Sequence, residues 1–296
     1  MNLAVTFSQS YSLIDSGKGK RLERFGNNTI VRPDSTCLWH PQEAVETWKS
    51  VNAVFDKKDG SKIYWNVKNE LKEPWQYTFN LPGMSREKNN KITCSLHLGS
   101  SKNVGIFPEQ LSNWLWINDI FLKSNYRKPK ILNVFGYTGV ASLVAALHGA
   151  EVCHVDASQA AVTWAKKNQA LSGLEQAPIR WIVDDALTFL KREIRRGAKY
   201  DGIIMDPPAF GRDQKGKPFS FETQIHPLLN AAKQLLNNKP LFFILNGYAN
   251  GYPADVVGNL VKEHFPHEDV TSGELQIMQE DKSRVISCSI YARVTW

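Results

Sequence analysis

From residue 130 onward, short apolar runs alternate with amphipathic stretches, and this alternation restricts the fold more than any other feature of the sequence. The runs have the length of buried strands, whereas the stretches between them have the apolar spacing of helices. Strands that are separated by helices form a parallel sheet with helices on both faces. The strand-like runs are KILNVF, EVCHVD, IRWIVD, YDGIIMD and PLFFIL. They predict an α/β domain.

Two further strand-like runs close the chain. GELQIMQ and RVISCSIYARV follow the helical stretch YPADVVGNLVKEHF, and only a short polar segment separates them. Strands joined by a short connection pair in the antiparallel direction. We therefore expect seven strands in one sheet, with an antiparallel hairpin at the end.

The N-terminal part of the chain has strand-like runs but few helical stretches. TIVRP, SVNAVF, SKIYWNV, WQYTFNL and ITCSLHL predict a small β-rich domain over residues 1–104, with a hairpin turn at Asp59-Gly60. Pro108 then starts a predicted helix that leads into the sheet domain, residues 105–296.

Cations and aromatic rings in this first domain suit the recognition of single-stranded RNA. Tryptophans in a small β-domain are more often part of its core, however, and a charge run is usually a solvated face. The residues concerned are Lys18, Lys20, Arg21, Arg24, Trp39, Trp48, Tyr64, Trp65, Trp75 and Tyr77.

Composition narrows the class of protein without identifying it. The 296 residues are 42% hydrophobic, which suffices for a full-sized core. Lysine and arginine number 36 against 29 acidic residues, and the net charge of +7 suits a polyanionic partner without requiring one. The four cysteines have no C-x-x-C spacing and the seven histidines have no ligand spacing, so neither a metal site nor a disulfide framework is expected.

Neither a secretion signal nor a membrane helix is expected. Residues 1–20 lack the basic and then apolar segments of a signal peptide. Residues 131–150 contain no charged side chain, but polar residues and glycines interrupt them, which favours a strand followed by a turn over a membrane span. We therefore expect a cytoplasmic protein with no membrane partner, and the oligomeric state stays open.

Glycines or acids follow each of the first three predicted strands of the sheet. Gly136 and Gly139 in NVFGYTGVAS allow a tight turn beneath a ligand, but the spacing is not G-x-G-x-x-G, which makes a nicotinamide enzyme the less economical hypothesis. Asp156 can accept hydrogen bonds from both hydroxyls of a ribose, and Asp185 can accept one from the amino group of an adenine. Each feature has a simpler alternative, since the glycines could form a plain connection and Asp156, Asp184 or Asp185 could cap a helix. Together the three strand ends favour an adenosine ligand.

From about residue 105 to its end, the sequence resembles the class I S-adenosylmethionine-dependent methyltransferases, in particular the bacterial large-subunit ribosomal RNA methyltransferases. The matching motifs are NVFGYTG, VDAS, DDALTFL and DPPAF, with LERFGNNTIVRP and GIFPEQ upstream. The resemblance implies a Rossmann-like sheet, S-adenosylmethionine (S-adenosyl-L-methionine) as the cofactor and RNA as the partner. It implies that the methionine part of the cofactor contacts Phe135, Gly136 and Gly139. It also implies that Asp156 holds the ribose, that Asp185 holds the adenine, and that Phe107 and Gln110 close the pocket. The expected cofactor-binding set is completed by Thr138, Ala157, Asp184, Ala186 and Asp206.

The motif DPPAF follows the fourth predicted strand. Asp206 ends the strand, and the two prolines after it fix an extended backbone, so that the carboxylate and the carbonyls of Asp206 and Pro207 can point at one planar group. Phe210 can stack on a base extruded from its helix. We therefore expect Asp206, Pro207 and Phe210 to be the catalytic residues. The simpler alternative is that Asp-Pro-Pro only terminates a strand.

The atom that receives the methyl group depends on a cysteine. Relatives that methylate cytosine at C5 use a cysteine thiolate after the fifth strand, where this chain has Asn246 and Gly247. Cys153 and Cys288 lie inside predicted strands, and we expect both to be buried structural thiols. Methylation of a nitrogen in a base of ribosomal RNA is therefore favoured. The alternatives are a methyltransferase for a small molecule or a protein, and an RNA-binding protein without catalytic activity.

Overall fold

The fold is seen in a computed structural model that describes residues 1–5, 10–58, 62–71, 74–84, 90–124, 128–212, 218–248, 251–266 and 269–296. Its strands are β1 Leu3–Val5, β2 Tyr11–Gly17, β3 Lys20–Phe25, β4 Asn28–Pro33, β5 Ala53–Lys58, β6 Lys62–Val67, β7 Trp75–Asn80, β8 Lys91–Leu96, β9 Lys130–Val134, β10 Glu151–Asp156, β11 Ile179–Val183, β12 Gly202–Met205, β13 Phe210–Arg212, β14 Pro218–Ser220, β15 Phe242–Gly247, β16 Val270–Met278 and β17 Val285–Thr295. Its helices are α1 Val45–Lys49, α2 Leu111–Lys123, α3 Val140–Leu147, α4 Gln159–Leu171, α5 Ala186–Arg195, α6 Phe221–Leu235 and α7 Ala254–His264, and a 3₁₀ helix, Pro108–Gln110, precedes α2. Among these described helices, none is long and apolar enough to cross a membrane.

Eight strands form the principal sheet, in the order β1-β16-β17-β15-β12-β9-β10-β11. The five strands from β15 to β11 are parallel to one another. β17 runs antiparallel to both β15 and β16. The predicted Rossmann-like sheet with a final antiparallel hairpin is thus confirmed, and β1, which pairs in parallel with β16, adds an eighth strand to the seven expected.

The chain runs outward from β9 in both directions of the sheet. β10 and β11 lie on one side of β9, and β12 and β15 lie on the other. Where the strand order of a parallel sheet reverses in this way, a crevice opens at the carboxyl ends of the strands. The segments that begin at Phe135 and Asp206 follow the two strands beside this point, so the fold places both motifs at the crevice.

Both faces of the principal sheet are buried, which explains why its strands are continuous apolar runs. Along β9, Ile131 packs into a core that also contains Leu143 of α3, whereas Leu132 and Val134 pack into the core on the opposite face. Successive side chains of a strand point to opposite faces, so each run serves two helical layers.

The N-terminal part forms a five-stranded sheet, β2-β3-β4-β5-β6, and the hairpin β7-β8. β5 and β6 are antiparallel as predicted, but the turn at Asp59-Gly60 lies outside the described residues. The hairpin is attached to α4, because Ser95 N donates to Asn168 Oδ1 at 2.8 Å and Trp164 Nε1 donates to Ser95 O at 2.7 Å. Since β1 also pairs in the principal sheet, the expected division between residues 1–104 and 105–296 is crossed by one strand.

Strands β2 and β3 are absent from the sequence prediction, which described this region as a basic segment. Arg21 is only 7% exposed and lies beside the buried Glu23, so it does not belong to a solvated face. Lys20 and Arg24, on the other side of the strand, form ion pairs nearer the surface. Charged residues alternate along β3 with the period of a strand, and one set of them is buried because it finds partners of opposite charge.

Candidate active site

The turn after β9 has a backbone conformation that depends on its glycines. Phe135, Tyr137 and Gly139 have positive φ angles of 60°, 49° and 85°. A Cβ atom at Gly136 would lie 2.3 Å from the ring of His154, and one at Gly139 would lie 2.9 Å from a side chain of α4. The two glycines therefore allow the chain to turn sharply from β9 into α3 while packing closely against β10 and α4.

Asp156, the last residue of β10, holds this turn in place. Its Oδ2 accepts a hydrogen bond from the amide of Tyr137 at 2.8 Å, and its Oδ1 accepts one from the amide of Ser158 at 2.8 Å. Burial raises the pKa of Asp156, although the two amide donors oppose the shift. A carboxylate has about four acceptor positions. Asp156 can therefore fix the turn and still accept hydrogen bonds from the hydroxyl groups of a ligand.

Two acids follow β11. Asp185 is the N-cap of α5, since its Oδ1 accepts a hydrogen bond from the amide of Thr188 at 2.9 Å. Asp184 accepts a hydrogen bond from the amide of Asp185 and forms an ion pair with Arg192. The capping role that the sequence left open is therefore present at Asp185, and both acids, with Ala186, also line a cleft.

Asp206 follows β12, at the point where the strand order reverses. Gln110 Nε2 donates to the hydroxyl of Tyr248 at 2.9 Å and to Asp206 Oδ2 at 3.4 Å. The other oxygen, Oδ1, is buried without a hydrogen-bond partner among the described residues. Burial raises the pKa of Asp206 well above its usual range, and the carboxyl of Glu109 raises it further. Asp206 thus has one oxygen that Gln110 holds and one that pairs with none of the described residues.

Glu109, in the 3₁₀ helix, is the second buried acid at this place. It is 3% exposed, and its Oε2 has no hydrogen-bond partner in the part of the chain that the structure describes. Burial raises the pKa of Glu109, whereas Arg21 opposes the shift. We call Glu109 and Asp206 the cleft floor.

These groups surround a cleft of about 1240 Å³, which exceeds the roughly 300 to 1,000 Å³ of a usual small-molecule site. One half, the strand-end lobe, follows β9, β10 and β11 and includes Phe135, Tyr137, Asp156, Ala157, Asp185 and Ala186. The other half, the hairpin lobe, lies between the five-stranded sheet and β17 and includes Arg21, Asp34, Lys102, Ser287, Cys288 and Ser289. The cleft floor lines the same cleft as both lobes.

The structure brings most of the predicted site residues to this cleft, but not all of them. Those that line it are Phe107, Phe135, Asp156, Ala157, Asp184, Asp185, Ala186 and Asp206. Those that the described cleft wall does not include are Gln110, Gly136, Thr138, Gly139, Pro207 and Phe210. Thr138 is buried and donates to the carbonyl of Gly105 at 2.7 Å, so it attaches the turn to the N-terminal segment. Phe210 is 77% exposed in β13, next to the cleft-lining Ala209 and Gly211.

Sequence reasoning did not place several cleft residues in the site, among them Glu109, Tyr248 and Cys288, and it assigned Arg21 to RNA recognition. Glu109 lies within the motif GIFPEQ, and the acid in that motif is the signal by which sequence reasoning could have found it. Arg21 and Cys288 are 267 positions apart, and no local pattern connects them.

Cys153 is buried as expected, but Cys288 is only partly buried, which corrects the expectation of a buried structural thiol at that position. Ser287 pairs with Gln276 and Ser289 pairs with Leu275, so Cys288 is the extra residue of a β-bulge. Such bulges redirect side chains, and this one turns Cys288 into the cleft, where Arg21 Nη1 lies 3.7 Å from its sulfur. Burial and the nearby Glu109 raise the pKa of the Cys288 thiol well above its usual range.

One group of described residues has the composition of a metal site, although the histidine spacing predicted none. Atoms of His226, Glu263 and His264 that could serve as ligands lie within 4.8 Å of one another. The Nδ1 atom of His264 is 2.8 Å from the carbonyl of Leu260, and none of the three lines the cleft. The cleft chemistry therefore does not involve this group.

Comparison with solved structures shows a close likeness over the whole chain. A SAM-dependent methyltransferase from Agrobacterium tumefaciens is 38% identical, with a TM-score of 0.90, over 100% of this chain and 93% of that one. A protein from Streptococcus mutans described as a SAM-dependent methyltransferase has a TM-score of 0.68 at 16% identity, over 97% of this chain and 76% of that one. The second likeness shows a shared fold.

Curated relatives match only part of the chain. Ribosomal RNA large subunit methyltransferase K from Neisseria meningitidis is 28% identical over 48% of this chain and 40% of its own length. Ribosomal RNA large subunit methyltransferase I from Tolumonas auensis is 32% identical over 43% of this chain and 31% of its own length. A family model described as Conserved hypothetical protein 95 matches residues 115–230. The match to these two curated relatives thus spans less than half of their length.

The described residues fit S-adenosylmethionine as the cofactor. Asp156 offers acceptors for ribose hydroxyls, and Phe135, Asp185 and Ala186 line the strand-end lobe where the rest of the cofactor would lie. The cleft also has room beside the cofactor for a methyl acceptor. With the full-length likeness at 38% identity, these features show that the chain belongs to the S-adenosylmethionine-dependent methyltransferases.

Proposed function

We propose that this methyltransferase transfers the methyl group to a nitrogen of a base in RNA, and that large-subunit ribosomal RNA is the substrate to test first. The observation that carries the proposal is Asp206 Oδ1, which is buried and, among the described residues, without a hydrogen-bond partner at the floor of a cleft larger than one ligand requires. A buried acceptor oxygen in such a place calls for a donor from a bound molecule. An N–H group of the methyl acceptor supplies that donor.

Bound S-adenosylmethionine supplies a methyl group that its positively charged sulfur already activates. The main task of the protein is therefore to position the acceptor. Asp206 orients the acceptor nitrogen, and its ionised carboxylate can take up the proton that the nitrogen loses. Burial raises the pKa of Asp206, which makes this carboxylate a stronger base. Pro207 and Pro208 have no amide N–H. The backbone of this segment therefore presents carbonyl groups to the methyl acceptor and no N–H donors that would compete with it.

For the cofactor, we propose that Asp156 holds the ribose, that Asp185 and Ala186 flank the adenine, and that Phe135 contacts the methionine part. The position of these residues on the strand-end lobe supports the assignment. Gly136 and Gly139 then act through the shape of the turn. Thr138 acts by attaching the turn to Gly105, and Gln110 by holding Asp206 and Tyr248.

Three observations support RNA as the substrate. Two curated relatives are named ribosomal RNA large subunit methyltransferases. The chain has a net charge of +7, which favours a polyanion. Phe210 is a large exposed aromatic residue that follows the two prolines, and such rings stack on unpaired bases.

Nitrogen is favoured over carbon because no described cysteine in the cleft is prepared as a nucleophile. Asn246, where a cysteine would be wanted, is buried, and its Oδ1 accepts a hydrogen bond from Asn113 Nδ2 at 2.9 Å. Cys288 does line the cleft, but its raised pKa keeps it as a thiol, and the thiolate is the reactive form.

The test is transfer of a labelled methyl group from S-adenosylmethionine by the purified protein. We expect label in total RNA from a strain that lacks the gene, and little in RNA from the wild-type strain, whose sites are already methylated. Mass spectrometry of the digested RNA should then show an N-methylated nucleoside. A C-methylated nucleoside would contradict the choice of nitrogen, and label found only in protein or in small molecules would contradict RNA.

A further inference from the structure

Four buried polar atoms without a hydrogen-bond partner among the described residues line the same cleft. They are Arg21 Nε, Glu109 Oε2, Asp206 Oδ1 and Ser289 Oγ. Arg21 Nε lies 3.5 Å from Oε2 of Glu23, an ion pair that does not form a hydrogen bond. Folded proteins leave few such atoms, because each costs about 1 to 3 kcal/mol when it loses water without gaining a partner. Four of them in one cleft indicate that a bound molecule completes their hydrogen bonds.

Three of these atoms belong to the hairpin lobe or to its border with the cleft floor. Arg21 comes from β3, Glu109 from the 3₁₀ helix and Ser289 from β17, so elements distant in the chain converge here. These side chains are 7%, 3% and 4% exposed, respectively. They are therefore held by packing and differ from mobile surface groups that water satisfies.

The β-bulge at Cys288 explains why β17 contributes to this lobe. In a regular strand, consecutive side chains point to opposite faces. Here Ser287, Cys288 and Ser289 all line the cleft, because the extra residue changes the direction of the side chains locally. The bulge thus places Ser289, the neighbour of Cys288 in the chain, on the same cleft wall.

The chemistry of the three groups complements the edge of a nucleobase. A carboxylate only accepts hydrogen bonds, whereas an arginine only donates them and a serine hydroxyl does both. Arg21 and Glu109 line the same cleft and interact electrostatically, so the cleft offers both a donor and an acceptor. The edge of an amino-substituted base carries N–H donors next to a carbonyl oxygen or a ring nitrogen, and this is the matching pattern.

We propose that Glu109, Arg21 and Ser289 form the subsite that holds the acceptor base, with Glu109 accepting hydrogen bonds from N–H groups of an amino-substituted base. Arg21 Nε donates to the neighbouring oxygen or ring nitrogen, and Ser289 completes the edge. Asp206 then meets the nitrogen that is methylated. This inference rests on the proposed function, since it takes the acceptor to be a base of RNA.

The test compares Glu109→Gln with the wild-type protein in three measurements: the Kd of S-adenosylmethionine by calorimetry, kcat and KM for RNA methylation, and Tm. We expect kcat/KM for RNA to fall about 10- to 100-fold, the loss expected for one charge-assisted hydrogen bond. The Kd of the cofactor should stay within about threefold, because this subsite contacts the acceptor. Glu46→Gln, the same change at an exposed position of α1, is the control and should match the wild type.

Ser289→Ala removes only a hydroxyl and serves as the second variant should Glu109→Gln fold poorly. It should lower kcat/KM for RNA about 3- to 10-fold with unchanged cofactor affinity, the size of one neutral hydrogen bond. Wild-type kcat/KM in both variants, or a loss of cofactor affinity equal to the loss of kcat/KM, would overturn the subsite while leaving RNA methylation intact. A wild-type protein that methylates no RNA would instead overturn the proposed function, and the subsite with it.

Discussion

Two buried glutamates interact electrostatically with Arg21 and have opposite properties. Glu23, in the N-terminal sheet, accepts hydrogen bonds from the hydroxyl of Tyr11 at 2.6 Å and from Arg32 Nε and Nη2 at 2.6 and 2.7 Å. Burial opposes its ionisation, but Arg21 and Arg32 outweigh burial and lower its pKa to about 2. Glu109, at the cleft floor, has an oxygen without a partner among the described residues, and burial raises its pKa.

The contrast separates a network that the protein completes for itself from one that it leaves incomplete. The partners of Glu23 come from neighbouring strands, so folding alone satisfies it. The acids of the cleft floor would gain stability from similar partners, yet the described residues provide too few. Groups of this kind lower stability and are found where a ligand supplies the missing partner.

The largest expected effect tests the incomplete network. Asp206→Asn should lower the rate of methyl transfer about 10²- to 10⁴-fold, the usual contribution of a positioned acid or base. Cofactor affinity should change little, because Asn keeps the shape and the contact with Gln110. Single-turnover transfer assays and calorimetry measure the two quantities. Equal loss of both would place Asp206 in cofactor binding and remove it from the reaction.

The next effect tests the completed network. Glu23→Gln leaves Arg21 and Arg32 without their buried counter-charge, and the free energy of unfolding should fall by about 3 to 5 kcal/mol. Glu280→Gln, which breaks an exposed pair with Arg24, should cost about 0 to 1 kcal/mol. Urea denaturation of both variants measures the difference. If the two substitutions have similar effects, the network around Glu23 has no special role in stability.

A smaller effect is expected in the strand-end lobe. Asp156→Ala should weaken cofactor binding by about 1.5 to 3 kcal/mol, because it removes charge-assisted hydrogen bonds and loosens the turn at Tyr137. Ser158→Ala removes the cap of α4 and should lower stability by about 1 kcal/mol, with less effect on the cofactor. Calorimetric titration with S-adenosylmethionine separates them. Unchanged affinity in Asp156→Ala would reject the ribose assignment.

The smallest effects concern pH, and the two glutamates should differ in sign. The pKa of Glu23 is lower in the folded state than the usual value of about 4.3, so its contribution to stability is present above that pH and is lost as pH falls toward about 2. The pKa of Glu109 is raised on folding, so wild-type stability declines as pH rises above about 4.3 through the folded pKa. Relative to the wild type, Glu109→Gln should therefore gain stability from pH 4 to pH 7. Thermal unfolding across this range checks the sign, and a parallel decline in both proteins would contradict it.

Local pattern predicted the principal sheet well because each buried strand is a continuous apolar run and each crossover has a helical period. It also predicted the strand ends at Phe135, Asp156, Asp185 and Asp206, all of which line the cleft, since parallel strands bring their carboxyl ends to one edge. It did not predict β2 and β3, because charged residues occupy buried positions in these strands and interrupt the apolar pattern by which a strand is recognised.

The sequence by itself determined the α/β sheet, the glycine turn and the edge at which the acids converge, because these follow from the spacing of residues close together in the chain. Only the tertiary structure decided that Glu23 is satisfied and that Glu109 has an oxygen for which the described residues offer no hydrogen-bond partner. Only the tertiary structure decided, too, that Arg21 meets Cys288 across 267 positions. The charge state and hydrogen bonding of a buried group depend on the atoms packed around it, and here those atoms come from segments that only folding brings together.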